Sequence, residues 1–95
     1  MLSKKRSPTH PGEIMQKEFV EPMRLTQTAL AKHLGWSHAK VNEIVFEKRG
    51  VSPEAALSLA DVFGTSAELW LNFQSSYDLW RAQRGHKKNR ILKVS

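Results

Sequence analysis

Cysteine is missing from this 95-residue chain. That excludes disulfide staples and zinc sites built on thiolates, and it suits a reducing cytoplasm. Long apolar runs are missing too. No stretch reaches the roughly 18–20 residues that cross a bilayer. The basic opening "MLSKKRSPTHPGE" leads into no apolar segment, so it does not read as a secretory signal. The expectation is a cytoplasmic protein with no membrane partner. Signatures of catalysis are scarce. His10, His33, His38 and His86 lack metal-ligand spacing, no serine sits in a GxSxG elbow, and no glycine-rich loop could cradle phosphate. His10 and Glu13 could form an acid–base pair, but "THPGE" is better read as a helix start. No metal, no cofactor and no enzyme are expected.

Acidic residues are absent from both ends. Residues 1–12 carry Lys4, Lys5 and Arg6 and no acid. Residues 81–95 carry six Lys or Arg and no acid. Between them, nine Asp or Glu outnumber six Lys or Arg. The net charge of +6 therefore lies in the ends. It suggests a polyanionic partner met by flexible tails and a local patch, or tails that serve solubility. The implied organisation is a basic tail over 1–9, one domain over 10–84 and a second basic tail over 85–95.

What is present is helical throughout. Pro11 suits a first helical turn, followed by Ile14, Met15, Glu18 and Phe19 on one face, with Pro22 as the stop. Thr26 caps "QTALAKHL", and Gly35 supplies a left-handed stop. Ser37 caps "HAKVNEIVF". Ser52 and Pro53 open "SPEAALSLADVF", which ends at Gly64. Ser66 caps a last helix from Ala67 to about Arg84, with Glu68 in its first turn. Ile91, Leu92 and Val94 could form a short strand or dock. The pattern predicts an all-α fold of five helices.

Two of these helices meet within "QTALAKHLGWSHAKVNEIVF". Ala31 is small enough for a close crossing and Gly35 permits the tight turn. Leu30 and Leu34 bury the first helix, and Val41, Ile44 and Val45 the second. Trp36 is expected to plug the space between them. This is the spacing of a helix-turn-helix, whose second helix enters the major groove. His38, Ala39, Lys40, Asn42 and Glu43 then face outward. Asn42 can pair with adenine, Lys40 with guanine or phosphate, and Glu43 with cytosine. For His38, Ala39 and Glu43 a solvated face is an equal alternative. Gln27, Ser37, Lys48 and Arg49 are candidate phosphate contacts.

In "LWLNFQSSYDLW", residues 69–80, four of the chain's eight aromatics fall on one helical face. Trp70 and Phe73 are expected to cap the core beside Leu59 and Phe63. Tyr77 and Trp80 lie further along, beyond the reach expected of that core. They are candidates for a dimer interface, with contact to a second protein as the other reading.

"THPGEIMQKEFVEP", the Gln27 motif and "SPEAALSLADVFGTSAELWLNFQSSYDL" together resemble the HigA/VapI type of antitoxin. These belong to the lambda-repressor-like, XRE class of helix-turn-helix proteins. The match runs over about residues 9–80 and includes Asn72, Gln74, Tyr77, Asp78 and Leu79. It implies a homodimeric, operator-binding antitoxin that neutralises a HigB-type mRNA-cleaving toxin and represses its own operon. The alternatives are a solitary XRE-type regulator and a protein-interaction module with a vestigial helix-turn-helix. One departure stands out. The family usually has Asn-Gly-Lys-Arg after the recognition helix, where this chain has Phe46, Glu47, Lys48 and Arg49. Phe46 would pack against the body or a thymine methyl, and Glu47 sits poorly beside phosphate.

Overall fold

The computed structural model describes residues 8–92. These form five helices and no strand: α1 (Pro11–Ile14, extended by a wider turn over Met15–Val20), α2 (Gln27–Leu34), α3 (His38–Val45), α4 (Pro53–Phe63) and α5 (Ala67–Gly85). Each begins where a side chain satisfies an orphan backbone donor. Oγ1 of Thr26 accepts from the Ala29 amide, and the Ser37, Ser52 and Ser66 hydroxyls accept from Lys40, Ala55 and Leu69, all within 3.0–3.1 Å. Such a cap contributes about 1 kcal/mol. His10 caps α1 in the same way, its Nδ1 accepting from the Gly12 amide at 2.9 Å. Pro11 follows at the first helical position, where no N–H is needed.

The first helix departs from the regular spacing expected of it. After Ile14 the backbone bonds over five residues, as from the Glu21 amide to the Gln16 carbonyl at 2.9 Å. That wider turn brings Val20 under Met15, and both are buried. The helix closes at Val20, two residues before Pro22.

Eleven side chains make the core: Met15, Val20, Leu30, Ala31, Val41, Ile44, Val51, Ala55, Ala56, Leu59 and Trp70. α4 lies along α5, α1 touches both α3 and α5, and α2 bridges α3 and α4. Trp70 is wholly buried and sits against Phe63 and Phe19, which stack on each other at 4.4 Å. Its indole N–H donates to the Thr65 hydroxyl at 2.7 Å, so the one polar atom of the ring is satisfied. Phe73 does not join this cluster as expected; it is half-buried and outside the packed core. Ile91 and Leu92 neither pair as a strand nor dock, since both stay exposed. Val94 and the Lys4–Arg6 cluster lie outside the described residues.

Candidate nucleic-acid interface

The turn between α2 and α3 is built as its sequence dictates. Gly35 adopts φ +73°, which a side chain would resist, and the Trp36 amide folds back to the Ala31 carbonyl at 2.9 Å. Ala31 is buried at the crossing. Val41 and Ile44 are fully buried, whereas Val45 is half-buried at the edge of the core. One turn of α1 seals the far end of α3. A Cβ on Gly12 would lie 1.8 Å from the Ile44 carbonyl oxygen, so only glycine permits this approach. "THPGE" thus combines a cap, a first-turn proline and a close contact that fixes the second helix.

With its inner face held, α3 presents Ser37, His38 and Ala39 exposed and Lys40, Asn42 and Glu43 half-buried. Their pairings were not legible in sequence. Asn42 Nδ2 donates to Gln27 Oε1 at 3.2 Å, linking the start of α2 to the middle of α3. Asn42 keeps its carbonyl oxygen and one N–H, the pair needed for an adenine edge, and Gln27 keeps its amide N–H₂ for phosphate. The Lys40 ammonium lies 4.2 Å over the Trp36 ring. Trp36 therefore packs against the core, as expected, and also aims Lys40. Ser37 Oγ is occupied as an acceptor by its cap but keeps a hydroxyl hydrogen to donate.

Two candidates turn out to be partners of each other. Arg49 meets Glu43 Oε1 through both Nη2 at 2.7 Å and Nε at 2.9 Å. Glu43 and Arg49 are thus engaged with each other. Lys48 has no carboxylate within ion-pair distance among the described residues. Phe46 does not pack against the body; it is 61% exposed at the end of α3. Glu47 takes φ +63°, a left-handed conformation where the family's usual residue is glycine.

The loop after α3 is pinned by a residue whose role the sequence did not reveal. The Val51 amide, on a nearly buried residue, donates to Gln74 Oε1 at 2.7 Å. Gln74 in turn donates to Asp78 at 2.9 Å. α5 therefore holds the loop that carries Lys48 and Arg49. Gln74 and Asp78 belong to the string that made the family resemblance specific, which was the available signal.

Tyr77 needs a correction. It lies within reach of the body, with its ring 4.8 Å from buried His10 in an edge-on contact. Burial pushes the His10 imidazole below its ordinary pKa, and nearby Arg81 acts in the same direction against Glu47 and Asp78. Trp80 stacks obliquely 6.1 Å from Tyr77 and carries the Arg84 guanidinium 4.8 Å over its ring. Leu79 is 60% exposed beside Ala82, Gln83 and His86. Among the described residues, no group of three or more metal-ligating side chains converges, and no helix is long and apolar enough to cross a membrane. Glu13 pairs with Lys17 at 3.1 Å, while His10 is engaged by its cap.

This geometry has close counterparts. The helix-turn-helix domain family matches residues 6–71. Virulence-associated protein I of Dichelobacter nodosus is 45% identical over 83 residues, spanning 87% of this chain and 77% of that protein. The solved structure of Pseudomonas aeruginosa antitoxin HigA with the higBA promoter superposes with a TM-score of 0.80 at 41% identity, over 90% of this chain and 99% of that one. Antitoxin GraA in complex with its operator gives 0.82 at 36% identity, over 98% and 100%.

Proposed function

Because the chain belongs to the helix-turn-helix domain family, in its HigA- and VapI-like branch, we propose that it is an operator-binding antitoxin. It acts as a cytoplasmic homodimer, represses its own operon and neutralises a HigB-type mRNA-cleaving toxin. It catalyses nothing; its work is occupancy. The observation that carries the DNA reading is the outward face of α3. Asn42 is oriented by Gln27 and Lys40 by Trp36, so two base-reading groups are held in place before DNA arrives. Relatives of the same fold carry promoter or operator DNA. The toxin reading rests on kinship with HigA antitoxins.

Phosphate contacts are assigned to Gln27, Ser37 and Lys48, with Arg49 contributing the guanidinium N–H groups that Glu43 leaves over. His38 and Ala39 complete the base-facing set. The dimer interface is assigned to α5 around Trp80 and the exposed Leu79. Tyr77 supports Trp80 from behind through its contact with His10.

Gel-shift titration on the palindromic DNA upstream of the gene tests this. The double variant Lys40→Ala, Asn42→Ala should bind far more weakly, by about 1–3 kcal/mol for each base contact removed. Equal shifting by wild type and double variant would reject the recognition-helix assignment. A small toxin-like reading frame beside the gene is expected; its absence would favour a solitary regulator.

A further inference from the structure

Arg81 was not among the residues assigned to DNA, yet it borders the same cleft of about 400 Å³ as Lys48 and Arg49, a cleft that Glu47 and Asp78 also line. The cleft runs between the loop after α3 and the C-terminal half of α5. Arg81 is exposed, and its guanidinium lies 6.0 Å from the Tyr77 ring centroid. No carboxylate lies within ion-pair distance of it among the described residues. The nearest acid on its own helix, Asp78, is already engaged by the Gln74 amide. After Asp78 the chain has no acid at all. Arg84, Lys87, Lys88 and Arg90 follow along the end of α5 and an exposed segment without regular structure. From Arg81 onward the end of α5 and this segment are thus basic without interruption, whereas the cleft that Arg81 shares with Lys48 is mixed in sign.

We propose that Arg81 and the basic segment behind it form a second phosphate-binding strip, gripping the duplex that flanks each operator half-site. The proposal rests on the operator-binding reading above. The chemistry selects a polyanion with closely spaced charges, because the cations are successive and, among the described residues, none has a carboxylate within ion-pair distance. The cleft shared with Lys48 sets Arg81 beside the loop assigned to phosphate, which favours the duplex that α3 reads over a separate acidic protein. The strip offers no base-reading group on a fixed scaffold, so it adds affinity for any sequence and little discrimination. Arg81 is the best-defined part, since Tyr77 flanks it and His10 backs Tyr77.

Salt titration of full-length protein on operator and on unrelated duplex tests this. Each phosphate contact contributes about 0.9 to the slope of log affinity against log salt. Arg81→Ala should flatten that slope by about this amount per protomer, equally on both duplexes. Arg81→Lys should keep most of the slope. Replacing Lys87, Lys88 and Arg90 with Ala should flatten it further. An unchanged slope in Arg81→Ala, with operator binding intact, overturns the proposal. Loss of the dimer mass in both Arg81 variants would assign the residue to contact between copies and would also overturn it. If wild type shows no preference for operator at any salt, the operator-binding reading itself fails. A steep slope on unrelated DNA that Arg81→Ala flattens would still uphold the strip.

Discussion

His10 shows how much one residue of a short motif can carry. Its Nδ1 is the acceptor of the α1 cap, and its ring backs Tyr77. The imidazole is therefore held neutral, with its pKa below the unfolded value of 6.5. Below pH 6.5 the unfolded chain takes up a proton that the folded chain resists. Stability is then full above that pH and falls as pH drops from it toward the folded value. Urea midpoints should decline between pH 7.5 and 5.5 in wild type, and less so in His10→Asn, which keeps a capping acceptor. Equal declines would mean that His10 does not titrate in this range. Gly12→Ala should destabilise by at least about 1–3 kcal/mol, because the new methyl meets the Ile44 carbonyl. Gln74→Ala should cost about 1–3 kcal/mol by orphaning the Val51 amide. Glu47→Gly should do the reverse. It relieves a left-handed side-chain residue worth about 1 kcal/mol and removes a carboxylate from the DNA-facing loop. Denaturation melts would show the gain, and a lower melting temperature would contradict it.

Among the helices, the starts and stops were legible from sequence, and the wider turn that packing imposes within α1 was not. Thr26, Ser37, Ser52 and Ser66 announce their helices because each acts on an amide three residues away. Gly35 and Gly64 end theirs because only a left-handed residue closes the turn. The wider turn after Ile14 depends on what Met15 and Val20 pack against, so periodicity could not show it. The same limit governs the site. That Lys40, Asn42 and Glu43 face away from the core follows from the burial of Val41 and Ile44 on the same helix. That Asn42 bonds Gln27 across fifteen residues, or that Glu43 neutralises Arg49, depends on tertiary geometry. α5 is the element read least well, since Tyr77 serves the body as well as any interface. Its remaining apolar surface, Trp80 with Leu79, makes a definite expectation. Trp80→Ala should yield a monomer by sedimentation at micromolar concentration, and an unchanged dimer mass would remove the interface from this helix.

Across the whole molecule, a slightly acidic helical body carries one rigid reading face and basic ends. The core fixes α3, and α5 fixes the loop that follows it through Gln74. Whatever binds α5 can therefore bear on the loop that carries Lys48 and Arg49. A single domain of this size presents too little surface for tight operator binding. In the proposed function, two copies engage two half-sites about one helical turn apart, roughly 10–10.5 base pairs. The result is a paired reading of a palindrome by two α3 helices. Its most direct measurement is an anisotropy titration on the upstream palindrome and on the same duplex with five base pairs inserted between its halves. The insertion rotates one half-site to the opposite side of the duplex. Affinity for the altered duplex should fall to that for unrelated DNA of equal length. Equal affinity for the original and the altered duplex would contradict it.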